Sequence, residues 1–119
     1  MHFTVITPTH QRRELLPEAV ASVRATISAP LDFSFDHLIY DNGSHDGTAD
    51  YLREAAAQPG PALRHWHSPE RQLAGLSRNQ LIEEAAPEAW IVPLDDDDIM
   101  LQRTLYNYGT QIAAHPGRP

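Results

Sequence analysis

The sequence predicts an α/β fold built on a mostly parallel four-stranded sheet flanked by helices. Two observations carry this expectation. Short β-rich runs alternate four times with segments of helical periodicity along 119 residues, and proline, glycine or acidic turn residues punctuate the junctions. Strands that alternate with helices are joined by crossover connections, which makes neighbouring strands parallel. The expected strand order is 3-2-1-4, and the length and 41% hydrophobic content suit one domain with a real core.

Each element has a local reason. Phe3 to Thr7 is a β-rich run ended by Pro8, the first strand. Leu16, Val20, Val23 and Ile27 recur at helical spacing, so a helix is expected over about 13–28, with Pro17 in its first turn and Ala29-Pro30 as its stop. Phe35 to Tyr40 reads as the second strand, and Asp41-Asn42-Gly43-Ser44 as turn chemistry after it. Asp46 or Ser44 can cap a helix over Thr48 to Ala57, which Pro59-Gly60-Pro61 breaks. Leu63 to Trp66 is a weaker third strand. Ala74 to Ala86 is a third helix with Leu81, Ile82 and Ala85 facing inward, and Trp90 to Leu94 is the fourth strand. Leu101, Leu105, Tyr108 and Ile112 mark a last helix, ended by His115-Pro116-Gly117, with Gly117-Arg118-Pro119 as a loop.

Composition removes several functions. A net charge of −7 argues against a nucleic-acid backbone as partner. There is no cysteine, hence no disulfide or thiolate chemistry, and all nine basic residues are arginine. Schiff-base and phosphate-loop lysines are thereby excluded, and arginine must handle any phosphate. No apolar run is long enough for a membrane span, and the start lacks the features of a signal peptide, so a cytoplasmic location is the default expectation.

In open α/β sheets, ligands bind beyond the carboxyl ends of the strands where strand order reverses. Here that rim would collect Thr7 to Arg12 after strand 1, Asp41 to Ser44 after strand 2, and Asp95 to Asp98 after strand 4. Four successive carboxylates repel one another, by about 3 kcal/mol for a pair 5 Å apart at an effective dielectric near 20. Such a run is either a solvated loop or a divalent-cation site, and Mg2+ or Mn2+ commonly bridges carboxylates to substrate phosphates. If the run stays extended, Asp95 and Asp97 face one way and Asp96 and Asp98 the other.

The other segments also carry two readings. Thr9 can be an ordinary helix cap, or the helix start can meet an anion. Arg12 either pairs with Glu14 or Glu18 or reaches the rim. Arg78, in the helix-opening Gly75-Leu76-Ser77-Arg78-Asn79, is a surface arginine or a phosphate partner. His65 and His67 alternate on a strand without a third ligand nearby, so they read as surface histidines rather than a zinc site. Asn42-Gly43-Ser44 matches a glycosylation sequon, read here as coincidence.

Together these segments resemble the N-terminal, nucleotide-sugar-binding half of a family 2 glycosyltransferase of GT-A fold. Val5-Ile6-Thr7-Pro8-Thr9-His10-Gln11-Arg12 is similar to the family's V-I-x-P-T-Y-N-R opening, and Tyr40 to Thr48 to V-D-D-G-S-T-D-G-T. Gly75 to Asn79 is similar to G-x-x-x-R-N, and Leu94 to Asp98 to the L-D-x-D-D signature. The resemblance implies that Pro8, Thr9 and Arg12 line a nucleotide pocket and that Asp41 and Asn42 contact the base, usually uracil. It implies Arg78 near the diphosphate, Asp95 and Asp96 at the ribose or sugar, and Asp97 with Asp98 on Mn2+ or Mg2+. The implied reaction is inverting transfer from a nucleoside-diphosphate sugar, a UDP-sugar by family habit, to the hydroxyl of a sugar, lipid or protein acceptor.

Three departures stand out. His10-Gln11 replaces Tyr-Asn, and Asn42 replaces an aspartate, exchanging an acceptor for a group that also donates. Family members also continue into an acceptor-binding half with the catalytic base, which is expected to be absent from these 119 residues. A non-catalytic binding or assembly module and a nucleotidyltransferase are the rival readings; the missing glycine-rich basic loop after strand 1 counts against the latter. An uncovered sheet edge and face predict self-association into a homo-oligomer.

Overall fold

The computed structural model describes residues 1–27 and 32–115. Its elements are β1 (His2–Thr9), α1 (Leu16–Arg24), β2 (Ser34–Asn42), α2 (Thr48–Ala57), β3 (Leu63–Ser68), α3 (Ala74–Glu84), β4 (Trp90–Pro93) and α4 (Thr104–Ala114). All strand pairs are parallel, and the order is β3-β2-β1-β4, as the sequence predicts. The expected helix stop at Ala29-Pro30 and the tail from Pro116 lie outside the described residues.

Strand alternation sorts the core into two faces. Phe3 and Val5 of β1, Ile39 of β2, Leu63 of β3 and Val92 of β4 share one face, which packs against Leu16, Val20 and Val23 of α1, Leu52 and Ala55 of α2, and Leu105 of α4. Ile6 and Leu38 point to the other face and meet Leu81 of α3. Three helices therefore cover one face and a single helix the other. No helix among the described residues is long and apolar enough to cross a membrane.

Several boundaries differ from the sequence expectation. β1 runs on through Pro8 to Thr9. β4 stops pairing at Pro93, opposite Ile6, and Leu94 donates its N–H to the Ile6 carbonyl. Pro8, two residues on from Ile6, turns its missing donor toward that vacated side, where no ladder bond is lost. β2 extends through Asp41 and Asn42, so the turn begins at Gly43. Ile82 is 47% exposed and only Leu81 is fully buried among the three α3 residues expected inside. Leu101 lies outside α4 and is exposed, as is Tyr108.

His37 of β2 is a polar exception within the core. It is 3% exposed, its Nε2 lies 2.7 Å from the Thr7 hydroxyl, and its Nδ1 has no hydrogen-bond partner among the described residues. Burial, with a smaller contribution from Arg24, lowers its pKa from 6.5 to about 3.

Candidate functional site

The carboxyl ends of β1, β2 and β4 open into a cleft of about 370 Å³. Pro8, Thr9, Arg12, Asn42, Arg78, Asp95, Asp96 and Asp97 all border it, so eight of the ten residues singled out in the sequence converge. His10, Arg71 and Gln72 join them. The sequence offered little for Arg71 and Gln72, because they lie in the β3–α3 loop and reach the cleft only through tertiary folding.

The aspartate run turns rather than staying extended. Asp98 donates its backbone N–H to the Asp95 carbonyl at 3.1 Å. This turn draws carboxylate oxygens of Asp95, Asp97 and Asp98 to within 4.8 Å of one another, all three side chains being exposed. The alternating arrangement expected for an extended run is thereby corrected, and Asp98 joins Asp95 and Asp97. Hard oxygen donors at this spacing fit Mg2+ or Mn2+. Asp96 turns the other way and accepts a 2.8 Å bond from the Thr9 hydroxyl. Burial and neighbouring Asp97 raise its pKa, against the lowering influence of Thr9, Arg12 and the His10 N–H.

Thr9 is thus a strand residue tied to Asp96, not the cap of α1. Arg12 forms no ion pair with Glu14 or Glu18 among the described residues, and its exposed side chain borders the cleft. Arg78 lies 3.7 Å from Asp95, which puts one guanidinium beside the carboxylate cluster.

Strand pairing at the end of β2 sends successive side chains to opposite faces. Asp41 is 1% exposed, accepts the Ser44 N–H at 3.2 Å and pairs with His67 at 3.0 Å, behind the cleft wall. Asn42 faces the other way, and its amide exchanges two bonds with the backbone of Gln72, at 2.6 and 2.7 Å. Asn42 still borders the cleft, and its carboxamide keeps a second N–H and a second lone pair beyond these two bonds.

The β1–α1 and β2–α2 loops brace each other. The Gln11 N–H donates to Ser44 Oγ at 2.8 Å, the His45 N–H to Gln11 Oε1 at 2.5 Å, and His10 Nδ1 to the Asn42 carbonyl at 2.6 Å. That last bond fixes the proton of a neutral His10 on Nδ1 and leaves Nε2 as an acceptor. Asp46 accepts the Arg13 N–H at 3.0 Å and both donors of Thr48. Burial alone would raise its pKa, but these bonds hold it below the usual value. Gln11 adopts φ +53°, a conformation that L residues seldom take and that the two bonds to the β2–α2 loop hold in place.

The β3–α3 loop lies hard against this assembly at Gly43, whose φ is +71°; a Cβ there would stand 2.6 Å from Arg71 N and 2.7 Å from Glu70 C. Gly43→Ala combines a left-handed backbone with a clash against main chain, so it is expected to destabilise the fold by about 1–3 kcal/mol. Urea unfolding measures this, and a change below about 0.5 kcal/mol, the range of an ordinary surface substitution, would contradict the close approach.

Residues 4–115 match the family described as Glycosyl transferase family 2. The chain belongs to that family. Its fold recurs in solved structures of larger proteins. S. aureus TarS 1–349 is 24% identical with a TM-score of 0.82, the match covering 97% of this chain and 33% of that one. The same protein in complex with UDP-GlcNAc gives 22% and 0.83, covering 100% and 36%. The mannosyltransferase PcManGT from Pyrobaculum calidifontis, in complex with GDP-Man and Mn2+, gives 26% and 0.79, covering 93% and 32%. The chain thus spans about a third of the length of these structures. No curated protein matches it significantly. The parallel sheet in the order 3-2-1-4 with flanking helices is the GT-A-type arrangement expected from the sequence.

Proposed function

We propose that these 119 residues form the donor-binding part of a glycosyltransferase, holding a nucleoside-diphosphate sugar through a divalent cation for inverting transfer to an acceptor hydroxyl. The observation that carries this reading is the meeting of Asp95, Asp97 and Asp98 oxygens at the rim that also holds Arg12 and Arg78. Family membership and the donor complexes of two similar structures support it.

In this reading Asp97 and Asp98 hold Mn2+ or Mg2+, with Asp95 at the ion or the adjoining sugar. The bound ion supplies Lewis-acid stabilisation to the departing diphosphate. Arg78 and Arg12 offer further positive charge to that group, while Asp96, fixed by Thr9, sets the path of the aspartate turn. Pro8 and Thr9 form the floor at the end of β1, and Asp41 and Asn42 support the wall at the end of β2. None of the residues named here is assigned acceptor binding or the role of the base that takes the hydroxyl proton.

Calorimetric titration with UDP and GDP, with and without Mn2+, tests the proposal. Metal-dependent binding of at least one nucleotide is expected, weakened about 100-fold or more in Asp97→Asn because a charged ligand oxygen is lost. Equal binding without metal, or by the variant, would remove the aspartate turn from the site.

A further inference from the structure

Thr9 is the last residue of β1 and is 3% exposed, and its hydroxyl donates to an Asp96 carboxylate oxygen at 2.8 Å, joining segments 87 residues apart. Asp96 is the half-buried member of its run; Asp95, Asp97 and Asp98 are exposed. The bond falls at the middle of the turn, because the Asp98 N–H closes on the Asp95 carbonyl and leaves Asp96 and Asp97 as the two central residues. The flanks are anchored separately. Leu94 donates to the Ile6 carbonyl, and the buried Met100 donates its N–H to Ser22 Oγ at 2.9 Å. Between these anchors, oxygens of Asp95, Asp97 and Asp98 lie within 4.8 Å of one another, which their mutual repulsion opposes until a cation enters.

We propose that Thr9 and Asp96 form a latch that positions the cation site: the Thr9 hydroxyl draws Asp96 away from the ion and, through Asp96, keeps the turn in the shape that presents Asp95, Asp97 and Asp98 together. This rests on the donor-binding reading above and deepens it. Asp96 acts on the ion through the backbone of the turn and is not one of its ligands. Threonine suits the task because a buried hydroxyl can donate to the carboxylate, and its branched side chain is stiff about its first torsion. A preformed turn spares the incoming cation part of the cost of ordering its ligands.

The test titrates Mn2+ into the 119-residue chain, alone and with UDP or GDP, and reads free Mn2+ by electron paramagnetic resonance, so that no catalytic turnover is needed. Thr9→Val keeps the branched shape and removes the donor; it is expected to weaken Mn2+ binding about 10-fold, the loss of one hydrogen bond to a charged group. Thr9→Ser restores the hydroxyl and should bind within about 2-fold of the unaltered chain. Asp96→Asn and Asp96→Ala both remove the charge, but asparagine can still accept from Thr9. The alanine variant should therefore bind Mn2+ several-fold more weakly than the asparagine variant. Adding Thr9→Val to Asp96→Ala should change nothing further, because the hydroxyl acts through that carboxylate.

Additive losses in the Thr9→Val, Asp96→Ala double variant would overturn the latch. So would equal affinities of Asp96→Asn and Asp96→Ala, a comparison that stands even if Thr9→Val does not fold. Tighter Mn2+ binding by Thr9→Val would show that a released Asp96 joins the ion, and that also overturns it. If the unaltered chain takes up no Mn2+ in any of the three conditions, the donor-binding reading itself fails and this inference falls with it. Mn2+ binding that Asp97→Asn abolishes and Thr9→Val leaves unchanged overturns this inference alone.

Discussion

Truncating Leu81 to alanine is expected to lower the unfolding free energy by about 3 kcal/mol, within the 2–5 kcal/mol typical of buried leucines. Leu81 is fully buried and is the α3 side chain that enters the Ile6–Leu38 cluster, with Tyr40, Trp66 and Ile91 packed at its margin. The other face of the sheet has three helices to share such a loss, whereas this face has one. A cavity here therefore loosens α3 as a whole, and α3 carries Arg78 at the cleft. Nucleotide affinity should fall together with stability. Ile82→Ala is the matched control: its side chain is 47% exposed, and a change within about 0.5 kcal/mol is expected. Urea unfolding of both variants decides the matter, and a Leu81→Ala cost under about 1 kcal/mol would mean that α3 is held by something else.

Acidification is expected to destabilise the domain through His37, by about 2 kcal/mol between pH 7 and pH 5. The folded-state pKa is lowered to about 3 from 6.5. Between those values the unfolded chain binds the proton and the folded chain does not, so stability is fully present above pH 6.5 and falls as pH drops toward 3. The geometry gives the cause. With the neutral ring protonated on Nε2, the hydroxyl of Thr7 is its acceptor and Nδ1 keeps a lone pair with no partner among the described residues; a second proton would put a charged donor there without an acceptor. His65 is lowered as well, chiefly by partial burial, and adds in the same direction. Replacing His37 by asparagine should flatten the dependence of stability on pH over this range by close to one proton. An unchanged slope would assign the acid sensitivity elsewhere.

The order of elements was legible because turn residues and apolar periodicity agree along the chain; α2 begins at Thr48 and ends at Ala57 before its proline-glycine stop, although its cap position is Gly47, with Asp46 accepting the Thr48 N–H from one residue earlier, and not Asp46 or Ser44. The aspartate turn could be picked out because carboxylates directly after an apolar strand occupy the ligand-binding rim of a parallel sheet. Other features depend on contacts between distant segments. Asp41 and Asn42 read as turn residues by composition, yet pairing with β1 and β3 extends the strand through both and sends them to opposite faces. The bond from Asn42 to Gln72 spans thirty residues and leaves no local signal. Periodicity located the apolar stripe of α3 but not its width, and a helix alone on its face buries little beyond Leu81 and Ser77.

The rim is built in two grades of stiffness. The loops after β1, β2 and β3 are laced together by Gln11, Ser44, Asp46, Asn42 and the close approach at Gly43. The aspartate turn is tied to them by the Thr9–Asp96 bond, with Arg78 at 3.7 Å from Asp95. A ligand that touches only the laced side finds its contacts already in place. One that needs the aspartates must also order them, and that entropy is charged against its affinity. Cation and nucleotide should consequently bind with positive cooperativity: whichever arrives first relieves the other of the ordering cost.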